Sequence, residues 1–432
     1  MPPPTVSPYP AANSPHQGQR LAAPDRLRGL AVMGILLMNI VGFGLPDLAY
    51  TAPGAWGLNG LADKIAWTIN FLLVDGKMRG LFAMLYGAGL IMMLEKAQQA
   101  GQNGWQIAFT RSLWLGVFGL LHYLLLWWGD ILTLYAITGL VALMIAAWQE
   151  DARQVFIASA LIFTLYCLMM LGLMLGIMDV LATAQAPGAN PQSLIAAQEM
   201  LADMGEPGST YITEQITLYR GPFAPIFAYN LNDLSLWISN NIYYSCPEIL
   251  GFMLLGMGMM RNDFITGRWD RARYWAVARW TISIALPPMI VLAYWVWASG
   301  FDTLVSFGVI FAWSTPFRIF LTIGITALFL WLMAGTGNMR AASPLWHRIE
   351  AVGRISLSNY LLTSAVMTGI FYGWGLGWFG MLSRAQLYWL VPPMWAVMLF
   401  WSRLWLDHFS IGPMEWLWRW LIRTTTNALN RG

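Results

Sequence analysis

Residues 111–147 read RSLWLGVFGLLHYLLLWWGDILTLYAITGLVALMIAA, two apolar runs separated by Trp127, Trp128, Gly129 and Asp130. A helix needs about 20 mostly apolar residues to cross roughly 30 Å of hydrocarbon, since in a bilayer each backbone N–H and C=O must be satisfied within its own segment. With its flanks, this stretch predicts helices over 108–127 and 131–149. The same rule carried outward marks 28–45, 78–94, 154–181, 236–260, 274–298, 304–334, 356–377 and 387–406. The expected fold is an all-α, polytopic transmembrane bundle of about ten spans with a short external helical or loop insertion. Pro316 predicts a kink or an interfacial turn in the long run 304–334.

Composition agrees with a bilayer as the solvent. The chain is 58% hydrophobic and 10% charged, against about 25% charged for a soluble domain. A formal charge of +3 lacks the concentrated basic face that neutralises phosphates, so no nucleic-acid partner is expected; the lipid bilayer is the first partner. Cys167 and Cys246 lie inside apolar runs without metal-type spacing and read as packing residues. Residues 1–20, rich in Pro and Ala, lack the apolar centre of a signal peptide and read as a disordered cytosolic tail, with 21–432 as one membrane domain.

Charge asymmetry sets the expected orientation. Arg20, Arg26 and Arg28, with the basic loops Arg261 to Arg279 and Arg340 to Arg354, belong inside by the positive-inside rule. Both termini are then cytoplasmic, and 182–235, which holds Asp203, Glu206, Glu214 and Asp233, is external and forms short helices around its Pro and Gly. That parity requires LADKIAWTINFLLVDG, residues 61–76, to lie in the interface or re-enter rather than cross. The tail GPMEWLWRWLIR, residues 412–423, suits a helix along the inner membrane surface.

Ionisable groups inside spans cost roughly 2.5 kcal/mol or more, so they face the bundle interior and mark functional sites. Arg28 opens the first span, and Asn39, eleven residues deeper and about 16 Å along a helix, returns to nearly the same face. Their bland readings are an orientation anchor and interhelical glue. In GKMRGLFAMLYGAGL, Lys77 and Arg79 open a span whose Gly80, Gly87 and Gly89 permit close helix approach; the cations alternatively hold an anionic group. His122 lies in the span 108–127, with Asp130 in the turn beyond it. Imidazole serves as a general base and a carboxylate fixes its tautomer; the competing reading is a hydrogen bond from His122 to a neighbouring helix. Glu248, in CPEILGFMLLGMGMMR, is expected to be buried against a partner such as an Arg, or to form part of a proton path. The chain has no phosphate-cradling Gly-rich loop ending in Gly-Lys-Ser or Gly-Lys-Thr, no His-Glu-x-x-His and no Cys-x-x-Cys, so neither nucleotide nor metal chemistry of those kinds is expected.

These blocks, with GRISLSNYLLTS at 353–364 and GPMEWLWRW at 412–420, resemble the YeiB-like family of bacterial membrane proteins from Arg26 onward. The resemblance divides the membrane domain into 21–235 and a C-terminal half, 236–432, known as domain of unknown function 418. That family is distantly similar to transmembrane acyltransferases, namely the type 3 enzymes and heparan-alpha-glucosaminide N-acetyltransferase. The point of contact is DRLRGLAVMGILLMN, where the type 3 enzymes carry a basic residue followed eleven positions later by His; here the pair is Arg28 and Asn39, and the heparan-type enzymes also have Asn there. Their catalytic His follows the first span, but 46–76 contains none, which leaves His122 to act as base.

The resemblance implies a bacterial inner-membrane protein that moves an acyl group from a cytosolic thioester, acyl-coenzyme A, to an envelope glycan or lipid, with no covalently bound cofactor. Arg28 would attract donor phosphates, His122 deprotonate the acceptor, Asp130 orient it and Arg79 stabilise the oxyanion. Asn39, Lys77, Glu248, Arg354 and Asn359 complete the expected binding residues. Two rival readings stand beside it. One is a transporter using Glu248 as a proton-coupling carboxylate and Arg79 or Arg354 as an anion site; the other is a non-catalytic envelope scaffold.

Overall fold

The computed structural model describes residues 22–149, 151–205, 207–334 and 343–430; the expected tail 1–20, Glu206 and Arg340 lie outside them. Among the described residues the chain is helical throughout. The first half runs α1 (Ala22–Gly44), α2 (Leu48–Thr51), α3 (Leu61–Leu73), α4 (Lys77–Gln99), α5 (Gly104–Leu125), α6 (Leu132–Ala147) and α7 (Ala152–Gln185). The segment expected outside contributes α8 (Pro191–Asp203) and α9 (Thr210–Tyr219), followed by α10 (Phe223–Tyr244) and α11 (Cys246–Arg261). Then come α12 (Arg271–Ala298), α13 (Thr303–Gly308), a π-helical turn (Val309–Trp313), α14 (Thr315–Ala334), α15 (Pro344–Arg354), α16 (Ser356–Phe371), α17 (Arg384–Leu387), α18 (Val391–His408) and α19 (Pro413–Leu429).

Among the described residues, six helical runs are long and apolar enough to cross a membrane, and a seventh forms if α10 and α11, bent by 51° at Ser245, count as one. The difference from ten arises because several apolar segments fold shorter than their sequences suggest. Both α6 and α16 have 16 helical residues, about 24 Å at 1.5 Å per residue. The segment 61–76 joins α4 in the single run Leu61–Gln99, interrupted at Val74–Gly76. Gly76 is required there: its φ is +72°, and a Cβ would lie 2.1 Å from Arg318 Cδ. The break expected near Pro316 is the π turn, with Pro316 in the first turn of α14.

The outer helices show apolar side chains to the surroundings. Leu161, Leu165 and Leu168 on α7 and Val291 on α12 are each more than half exposed, as lipid-facing residues are. At the centre α4 crosses α11 backbone to backbone: a Cβ on Gly87 would lie 2.3 Å from Met253 O, and one on Gly256 1.9 Å from Met84 O. Gly80 makes room for the Phe252 ring, whereas the nearest atom to a Cβ on Gly89 is Arg28 Nη2. Gly89 thus accommodates a cation rather than a helix.

The blocks GRISLSNYLLTS and GPMEWLWRW meet. The Glu415 carboxylate accepts from the backbone N–H groups of Leu357 (2.8 Å) and Ser358 (3.2 Å) and from Ser358 Oγ, which itself accepts from Met414 N. Burial raises the Glu415 carboxyl above its ordinary value, against the opposing pull of these hydrogen bonds. This carboxylate caps the start of α16 and fastens α19 to it. Replacing Glu415 with Ala should strand two amide donors and lower stability by about 1–3 kcal/mol, read as a lower unfolding temperature of the detergent-solubilised protein; an unchanged temperature would refute the cap.

Candidate functional site

A cavity of about 410 Å³ lies where the ends and interruptions of several helices meet, within the range of small-molecule sites. Asn39 and Asp47 border it from α1 and the loop beyond, Asp75 and Arg79 from the start of α4, and Trp127 to Ile131 from the α5–α6 turn. Tyr211, Tyr229, Asn230 and Asp233 close it from α9 and α10. Seven tyrosines line the cavity, and four aspartates face two arginines there, Arg79 and Arg318. That balance disfavours a multiply charged anion and suits hydroxyl-bearing ligands, which use amides, carboxylates and aromatic faces together. Burial pushes the Asp47 carboxyl up, while bonds from Tyr211 and Gln215 pull it the other way.

His122 sits behind the cavity wall. Its ring is buried, Nδ1 lies 3.0 Å from Asp130 Oδ1, and Nε2 lies 2.8 Å from Ser364 Oγ on α16. Asp130 lines the cavity and also accepts from Leu132 N (3.2 Å) and Thr133 N (2.8 Å), which fixes the carboxylate at the start of α6. Because a carboxylate only accepts, the proton belongs on Nδ1, and Nε2 is left to accept from the serine hydroxyl. Asp130, His122 and Ser364 thereby stand in the order carboxylate, imidazole, hydroxyl. Tyr360 packs beside the ring, tilted by 41° with centroids 4.9 Å apart. The expected pair of His122 and Asp130 is present, and the neighbouring-helix reading of His122 is present too, through Ser364.

Glu248 lies in the first turn of α11, at the bend rather than midway along a span, and is fully enclosed. Arg79 Nη2 donates to its Oε2 at 2.6 Å, and Arg318 donates to Oε1 through Nε (2.9 Å) and Nη2 (2.7 Å). The expected partner exists, and there are two of them. Arg79 keeps a quarter of its side chain open, so its remaining donors face the cavity. Tyr50 donates to Asp75, one turn before Arg79.

The other expected binding residues are placed elsewhere. Arg28 pairs with Asp25 at 3.1 Å near the start of α1, two to three helical turns from the cavity-lining part of that helix. Lys77 is buried and donates to Phe71 O, closing the end of α3. Arg354 donates to Ser410 O at 3.2 Å at the end that carries α15 and α19. The Asn359 amide is consumed by Val352 O, Ser402 Oγ and Trp401 Nε1, tying α15, α16 and α18 together. Lys77, Arg354 and Asn359 are not cavity-lining residues, and the hydrogen bonds of each explain a structural role. Sequence reasoning missed Arg318, although an arginine inside the run 304–334 is the same signal that exposed Glu248. It also missed Ser364, because a lone hydroxyl in a helix ordinarily bonds its own backbone.

Comparison with known proteins adds the lineage. Residues 259–425 match the family described as protein of unknown function (DUF418). The uncharacterized protein YeiB of Escherichia coli (strain K12) is 28% identical over 416 residues, covering 94% of this chain and 97% of its own. The chain is thus similar to YeiB over nearly its whole length, and to the DUF418 family over residues 259–425. A second relative, the uncharacterized protein YxaH of Bacillus subtilis (strain 168), is 26% identical, with 93% of this chain and 94% of its own covered. No solved structure matches the chain. The family's shared region, from α11 to α19, contributes Arg318 and Ser364 to the site but not His122 or Asp130.

Proposed function

We propose that this protein is an inner-membrane acyltransferase, taking an acyl group from a coenzyme A thioester and delivering it to a hydroxyl of an envelope glycan or lipid. The observation that carries this reading is an imidazole held by a carboxylate at the wall of a cavity rich in hydroxyl-binding groups. An oriented imidazole moves the proton that ester formation must lose. Asn39 borders the cavity and supplies an amide N–H, and Arg79 supplies guanidinium donors, for the charge that develops on the acyl oxygen. The deciding experiment compares acyl-ester content of envelope glycans and lipids in a deletion strain and in the same strain carrying the gene. An acyl modification present only with the gene supports transfer, and identical profiles refute it.

A second reading, transport, draws support from the helix breaks at Val74–Gly76, Ser245 and Val309–Trp313. All converge on the Arg79–Glu248–Arg318 cluster, and Asp75, Ser245 and Ile310 line the cavity there. Broken helices around a buried charge cluster are a transporter device. Solute accumulation by proteoliposomes, abolished in Glu248→Gln, separates this reading from transfer.

The orientation that puts acyl donor and acceptor on opposite sides has support of its own. Arg28, Arg111, Arg261 and Arg354 gather at the end carrying the start of α1, the end of α4 and α19: Arg261 pairs with Glu95 at 3.1 Å, and Trp418 Nε1 donates to Arg111 O. Clustered cations mark the cytoplasmic side. A cysteine introduced at Gln198, an exposed position on α8, should react with a membrane-impermeant maleimide from the periplasmic side of spheroplasts. Labelling only after the membrane is opened would reverse the topology.

A further inference from the structure

We infer that Ser364 is a nucleophile that carries the acyl group covalently between donor and acceptor, an inference that rests on the acyl-transfer function proposed above. Three observations converge on it. Ser364 Oγ occupies the position 2.8 Å from His122 Nε2 that an acceptor hydroxyl would have to take for direct deprotonation. His122 itself is walled off from the cavity, and the group it presents to Asp130 is Nδ1. Ser364 borders a second void, of about 10 Å³ between α1 and α16, whose lining includes Ile35, Asn39, Tyr360 and Thr363. Ile35 and Asn39 also line the 410 Å³ cavity, so the two spaces share these lining residues.

This arrangement places the hydroxyl behind Ile35 and Asn39, at the border of the cavity rather than inside it. A covalent relay fits such a border, because donor and acceptor need never occupy the site together. In the first half-reaction Ser364 Oγ attacks the thioester carbonyl while its proton passes to His122 Nε2. The C–S bond then breaks, and the departing coenzyme A sulfur takes that proton. In the second half-reaction the acceptor hydroxyl gives its proton to Nε2 and its oxygen attacks the Ser364 ester. The bond from the carbonyl carbon to Oγ breaks, and Oγ recovers the proton. No oxidant or reductant enters. The Asn39 amide, bordering both spaces, donates to the carbonyl oxygen in each step.

The test uses the full-length protein in lipid nanodiscs with radiolabelled acetyl-, succinyl- and palmitoyl-coenzyme A, quenched in acid and mapped by peptide mass spectrometry. The expected result is a covalent acyl group on the peptide that holds Ser364, released by alkaline hydroxylamine and absent in Ser364→Ala. Ser364→Cys, which keeps the shape and a nucleophile, should take the label as a thioester released by hydroxylamine at neutral pH. Ser364→Ala should also lower gene-dependent envelope acylation by about 10²-fold or more. If Ser364→Ala sustains acylation within threefold of the parent, the relay is overturned while the acyl-transfer function stands. If the parent neither takes label nor changes the envelope, the acyl-transfer function fails and the relay with it.

Discussion

His122→Ala is expected to lower acyl transfer by about 10²- to 10⁴-fold, the usual cost of losing a general base, while membrane insertion and folding persist. Folding persists because the partners of His122 keep other bonds: Asp130 still accepts from Leu132 and Thr133, and Ser364 Oγ still reaches Tyr360 O at 3.3 Å. Asp130→Asn should be comparably damaging. A side-chain amide presents an N–H to Nδ1 and so favours the tautomer with the proton on Nε2, which then cannot accept from Ser364. Envelope acyl-ester content in complemented deletion strains, with membrane-fraction immunoblots as the folding control, reads both variants. Full acylation by His122→Ala would remove the imidazole from the mechanism.

The second large effect is on stability. Glu248→Leu should destabilise the bundle by about 3–5 kcal/mol, because it leaves the enclosed Arg318 and the mostly buried Arg79 without their shared counter-ion. Glu248→Gln should cost less, since an amide oxygen still accepts from one arginine. Thermal unfolding in detergent, followed by tryptophan fluorescence, should order the three proteins as parent, Gln variant, Leu variant. A Leu variant as stable as the parent would mean that the cluster contributes nothing to holding α4, α11 and α14 together. The same cluster pins Gly76, since the space of a Cβ there is filled by Arg318.

Apolar run length and the scarcity of charge determined, from sequence alone, that the chain is an all-α membrane bundle, because a bilayer leaves a crossing chain few other ways to satisfy its backbone. The intramembrane charge at Glu248 could be read as a buried, partnered group for the same reason, and the His122–Asp130 pairing was open to proposal because only a six-residue turn joins α5 to α6. Which partners these groups would meet was beyond the sequence. Arg318 is 70 residues from Glu248, and Ser364 is 242 residues from His122; helical periodicity gives the face of a helix but not the neighbour that face will meet. Nor does hydropathy give the span count, since it does not reveal where a run leaves the α-helix, as at Val74–Gly76 and in the π turn Val309–Trp313. Tertiary packing alone decided that Asn359 and Lys77 are consumed by structural bonds while Ser364, an ordinary helical hydroxyl in sequence, stands against an imidazole. Such contacts depend on how α5 and α16 cross, and that crossing is fixed by side chains spread over the whole bundle.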